Sequence, residues 1–146
     1  MPAQPRVASL TMSAESQPVS ILPESECWRL LDSVALGRLV TCAGGQPEIF
    51  PVNFAVQDRT VLFRTAEGTK LTSAAISNQV LFEADAHTAT EGWSVVVKGV
   101  ARTVHGDDEL EKAAGAQLFS WTATTKQHFV RIRPDRVTGR RFGFVA

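Results

Sequence analysis

The sequence predicts an α+β fold in which an antiparallel β-barrel is flanked by a few short helices. Three observations lead there. Short apolar–polar alternations of period two, separated by turn residues, run through most of the chain after residue 20. Helical spacing of apolar residues is confined to short segments beginning near Pro23, Lys70 and Glu109. Strands and helices do not alternate regularly, which argues against a parallel sheet of crossover units.

The 146 residues suffice for one domain with a buried core. Apolar residues make up 44% and charged residues 21%, both ordinary for a globular chain. Basic and acidic residues number 15 each, so the formal net charge is zero. No global field draws nucleic acid or an anionic membrane, and any anion site must be a local cluster. No apolar run reaches the ~18 residues of a membrane span, so none is expected. No signal peptide is evident, which makes the cytoplasm the expected location. Cys27 and Cys42 have no Cys or His at metal-ligand spacing and are expected as free thiols.

Residues 1–20, rich in Ala, Ser, Pro and Gln, have no period and read as a flexible N-terminal arm, leaving 21–146 as the domain. Pro23, Glu24 and Glu26 suit a helix start, Cys27, Trp28, Leu31, Val34 and Ala35 follow at helical spacing, and Gly37 is a natural stop. Strands are expected at Arg38–Cys42 and Glu48–Val56, joined by a hairpin turn through Gly44 and Gly45. Pro51 cannot donate to a ladder, so the second strand must be an edge, a bulge or an opening there. Gln57, Asp58 and Arg59 turn the chain into a strand at Thr60–Thr65. A glycine loop leads into a helix carrying Leu71, Ala74 and Ala75, and a strand at Val80–Asp85 follows. Trp93–His105 is one long strand with a bend or bulge at Gly99. Glu109–Phe119 is a helix, and Ser120–Gln127 is a loop holding Trp121. Strands His128–Arg133 and Thr138–Val145, joined by a turn at Pro134, Asp135 and Arg136, bring the total to about seven.

Two stretches carry candidate chemistry. In Phe63–Lys70, a strand crosses a glycine loop into a helix, and Arg64, Thr65, Thr69 and Lys70 supply a guanidinium, two hydroxyls and an ammonium close together. That donor set suits a phosphate, although a strand arginine is usually solvated and a lysine at a helix start is common. In Phe50–Phe54, a strand interrupted by Pro51 leaves backbone groups free to meet a flat aromatic ligand, or simply bulges. The histidines His87, His105 and His128 are scattered, so no metal site is expected. The basic residues from Arg131 to Arg141 read either as a solvated strand face or as an anion contact.

The ordered set of Leu36–Thr41, Gln46–Asn53, Phe63–Leu71, Asn78–Asp85, Trp93–Ala101, Arg131–Pro134 and Val137–Arg141 resembles the pyridoxamine 5′-phosphate oxidase-like family, above all its nitroimidazole-reductase-type branch. The resemblance spans roughly residues 22 to 144. It implies an antiparallel split β-barrel that forms a homodimer and holds FMN in grooves between subunits. Carried over by position, Arg64, Thr65, Thr69 and Lys70 would hold the FMN phosphate. The backbone of Pro51, Val52 and Asn53 would line the isoalloxazine, and Trp93 and Trp121 would close the groove. The basic residues near the C-terminus do not match the motif by which true pyridoxamine oxidases hold the substrate phosphate, which puts vitamin B6 oxidation in doubt. The implied function is electron transfer from a reduced nicotinamide-type donor to a small acceptor, with no catalytic side chain assigned. Two alternatives stand beside it: a flavin-binding storage or sensing protein without turnover, and a reductase of the same fold using a deazaflavin cofactor. Small molecules, not nucleic acid or membrane, are the expected partners.

Overall fold

The computed structural model describes residues 19–66, 69–116, 118 and 127–144. In chain order the elements are β1 (Val19–Leu22), α1 (Glu24–Leu31), β2 (Leu36–Ala43), β3 (Gln46–Gln57), β4 (Thr60–Ala66), α2 (Lys70–Ala75), β5 (Gln79–His87), β6 (Glu91–Thr103), α3 (Asp107–Ala114) and β7 (Gln127–Gly143). All strand pairings are antiparallel. The sheet order β1-β7-β4-β3-β2-β5-β6, with β7 also paired to β6, closes six of the seven strands into a ring. The α+β split-barrel expectation therefore holds.

Both expected hairpin turns are present, and their backbone explains their residues. Gly44 and Gly45 take φ of 58° and 76° between β2 and β3, as the type I′ turn favoured in two-residue hairpins requires. Asp58 and Arg59 do the same between β3 and β4, at φ of 50° and 53°, without glycine. The ring interior is packed by alternate strand residues, among them Leu39, Phe54, Phe63, Phe82, Val95, Val97, Val130 and Ile132. Phe54 and Phe82 meet edge to face with centroids 4.7 Å apart. Cys27, Trp28 and Leu31 of α1 pack into the same core.

Three local expectations need correction. α1 ends at Leu31 rather than near Gly37, which lies within β2 where a Cβ would run into the Phe82 ring. Gly37 is a close-approach glycine, not a helix stop. The final two strands are one, since β7 runs unbroken from Gln127 to Gly143 along β6. Pro134, Asp135 and Arg136 do not reverse the chain. The register shifts at Lys98/Gly99, so that Lys98 faces Arg136 and Gly99 faces Pro134, leaving Asp135 as the extra residue of a bulge. A bulge tolerates the proline's missing donor, and the bare Gly99 lets the Arg133 carbonyl approach. The count of seven strands survives because β1, which begins at Val19 inside the segment read as arm, offsets this merger. α3 spans Asp107–Ala114, and Gly115 caps it.

Candidate functional site

Of the edge, bulge or opening that Pro51 left open, the structure has an opening. β3 pairs with β4 only from Phe54↔Phe63 to Gln57↔Thr60, while its earlier half stays on β2, from Leu36↔Asn53 to Ala43↔Gln46. The Phe54 amide donates to the Ala35 carbonyl, so the alternating amide positions at 49, 51 and 53 point away from β2. No β4 residue is registered with them. Among the described residues a stretch of β3 edge is thus left without a ladder partner, and proline at position 51 fits it because no donor is needed there. Pro51 is exposed, Val52 is buried in the core, and Asn53 is half-buried.

On the other side of this parting, β4 continues along β7 and then leads into α2. Thr65 Oγ1 lies 3.3 Å from Thr69 Oγ1, which in turn lies 2.8 Å from Thr72 Oγ1. Thr69 is the N-cap of α2, and its hydroxyl accepts from the Thr72 amide. Lys70 follows, and its Nζ lies 2.6 Å from Glu48 Oε1, so an ion pair ties β3 to the first turn of α2. Its side chain is 72% exposed, so the pair is weak and open to exchange with another anion. Nearby on the inner face, the Thr41 hydroxyl, registered with Glu48, is buried without a hydrogen-bond partner among the described residues.

The structure brings Thr65, Thr69 and Lys70 together and adds Glu48 and Thr72, which the sequence pattern did not single out. Glu48 pairs with Lys70 only because the fold brings β3 beside the start of α2. Arg64 lies elsewhere. Adjacent strand residues face opposite ways, and its guanidinium donates to the Leu118 carbonyl at 3.0 Å and sits over the Phe129 ring. Its Nε is buried without a partner among the described residues. Trp93 is buried in the core and registered with Arg141 near the end of β7, whereas Thr65 is registered with His128 near its start. Within one chain it is therefore remote from the threonines. Trp121 lies outside the described residues. A separate cleft of about 490 Å³, missed in the sequence because three distant segments build it, lies between the loop after α1, β3 and the end of α3.

The outer face of β2, β3 and β5 is unusually apolar. Ile49, Leu36 and Leu81 are 62%, 42% and 41% exposed, and Val40 lies between Ile49 and Leu81 in register. Beside them Arg38 reaches both Glu83, at 2.9 Å, and Asp85, at 3.3 Å. Burial and a hydrogen bond with Asp85 push the Glu83 carboxyl above its ordinary value, against the pull of Ser94 and Arg38.

Comparison with known proteins identifies the family and the fold. The FAD-binding protein from Mycobacterium smegmatis is 59% identical, covers 84% of this chain and 99% of its own, and superposes with a TM-score of 0.79. A candidate pyridoxamine 5′-phosphate oxidase from Corynebacterium glutamicum is 40% identical, with coverage of 90% and 98% and a TM-score of 0.80. An uncharacterised Mycobacterium tuberculosis protein is 55% identical over 89 residues, which are 61% of this chain and 81% of that protein. The profile of the pyridoxamine 5′-phosphate oxidase family matches residues 23–141, and this chain belongs to that family.

Proposed function

We infer that this chain binds a flavin nucleotide and moves electrons between a reduced nicotinamide-type donor and a small acceptor. The observation that carries the reading is the parting of β3 from β4 beside the Thr65, Thr69 and Lys70 cluster. The hydroxyls of Thr65 and Thr69 and the ammonium of Lys70 would hold the phosphate, with Lys70 exchanging Glu48 for it. The unpaired backbone edge around Pro51, Val52 and Asn53 would meet the polar rim of the isoalloxazine. When bound, the flavin supplies the hydride and electron chemistry, and the protein supplies position and electrostatics. FMN is the cofactor that the family resemblance implies, while the FAD-binding relative favours the larger dinucleotide. Both present a phosphate next to the ribityl chain, so the same residues serve either.

The exposed apolar face of Leu36, Val40, Ile49 and Leu81 supports a homodimer, with the cofactor groove completed by the second subunit. Trp93, remote from the threonines within one chain, would enter the site from that subunit, and Trp121 would help close the groove.

The test is a visible spectrum after incubation with FMN, FAD or a deazaflavin and desalting. Retained flavin bands that bleach with NAD(P)H and return with an added acceptor support the oxidoreductase. Retention without bleaching leaves a binding or sensing protein, and retention of the deazaflavin alone assigns that cofactor. Lys70→Ala is expected to weaken flavin binding by roughly 1.5–3 kcal/mol, the range for a hydrogen bond to a charged group. Arg64→Ala separates the two arrangements of donors: unchanged affinity leaves the phosphate with Thr65, Thr69 and Lys70, and an equal loss returns Arg64 to the set.

A further inference from the structure

The outer face of β6 and β7 carries a cluster of arginines that the flavin reading does not use. Arg102 on β6 is registered directly opposite Arg131 on β7, so their side chains share one sheet face. Arg133, two residues on, shares that face by the period of the strand. The bulge at Asp135 begins just past it, where β7 changes direction. These arginines, with His105 and Glu109, line a cavity of about 160 Å³. That is smaller than the ~300–1,000 Å³ typical of sites for larger organic ligands.

Arg131 is only 6% exposed, yet its hydrogen-bond partners are neutral. Nη1 donates to Thr60 Oγ1 at 2.7 Å and Nη2 to Gln57 Oε1 at 3.1 Å. Among the described residues, none of the three guanidinium groups has a carboxylate within ion-pair distance. Among the described residues Glu109 is the one acid lining the cavity, set against three arginines. Like charges placed directly opposite on neighbouring strands repel, and a buried cation with no carboxylate in contact, only the charge of Glu109 at longer range, is costly. Folding alone would favour a neutral residue at 131 or a carboxylate beside it. A compact oxyanion relieves both costs, and a guanidinium held in place by Thr60 and Gln57 meets it without reordering.

We propose that Arg102, Arg131 and Arg133 form a binding site for a phosphate group, free or as the monoester of a small molecule, distinct from the Thr65–Lys70 cluster. Glu109 limits its affinity and favours exchange over permanent occupancy.

The test titrates inorganic phosphate, and separately glycerol phosphate, into the full chain at constant ionic strength, following the arginine Nε–Hε resonances by NMR. Saturable shifts at Arg131 with either probe are expected. The tighter of the two identifies the free anion or the ester as the ligand. In Arg102→Ala/Arg133→Ala, which alters exposed side chains and spares the fold, binding is expected to weaken roughly tenfold or more. Glu109→Gln is expected to tighten it, and Lys70→Ala to leave it unchanged. Absence of saturable binding at millimolar phosphate, or loss in Lys70→Ala but not in the double variant, overturns the proposal. Failure of flavin binding leaves it untouched, because these resonances report no flavin.

Discussion

Cys27 and Gly139 illustrate how closely single residues are fitted in this core. Cys27 is fully buried, and burial, followed by the charge of Glu24, pushes its thiol above the ordinary range. Cys42 is exposed. A thiol reagent is therefore expected to label Cys42 in the native protein and Cys27 only after unfolding, which mass spectrometry of timed labelling checks. A Cβ on Gly139 would lie 2.5 Å from Cys27 Sγ and 3.2 Å from Val95 Cγ2. Gly139→Ala should accordingly cost about 1–3 kcal/mol by overpacking, read as a lower denaturant midpoint. The Cys27→Ala/Gly139→Ala pair should recover part of that loss, since it removes the sulfur that the new methyl meets.

At the scale of elements, the β3–β4 hairpin pairs over Phe54–Gln57 at its turn and parts from Asn53 back, beside the site. Asp58 and Arg59 hold left-handed backbone that glycine adopts more readily. Arg59→Gly is expected to stabilise the protein by roughly 0.5–1 kcal/mol, because relief of the strain exceeds the added chain entropy. The Arg59–Glu24 ion pair that is lost, at 3.6 Å between exposed side chains, contributes little against this. A lower melting temperature in Arg59→Gly would contradict this account of the turn. The period-two pattern made β3 legible, as did the glycines of its first turn. The unbroken course of β7 was not legible. Proline, aspartate and arginine in a row have the composition of a turn, and only a partner strand as long as β6 can absorb them as a bulge.

For the whole molecule, the apolar face of β2, β3 and β5 bears on assembly. If this face joins two subunits, as proposed above, Ile49→Glu, which places a charge at its most exposed apolar position, is expected to give monomers in sedimentation and to lose flavin retention with it. A monomer that still retains flavin would confine the site to one chain. The Glu83 carboxyl beside this face carries a pH dependence. Its folded value lies above the ordinary 4.5. The native state therefore keeps a proton that the unfolded chain has already released, and stability falls as pH rises from about 4.5 through the folded value. Glu83→Gln should flatten that slope in urea unfolding measured across this range.

Local patterns in the chain determined the antiparallel strands, the glycine turn, the break at Pro51 and the closeness of Thr65, Thr69 and Lys70, because each depends on neighbours within a few residues. The direction of Arg64 was also latent in strand alternation, which puts it on the face opposite Thr65. Only the tertiary structure decided that Glu48 answers Lys70, that Arg102 stands opposite Arg131, and that Gly37 and Gly99 are glycines for want of space. Those relations join residues far apart in sequence, and the register of ring closure, not local propensity, selects which side chains meet.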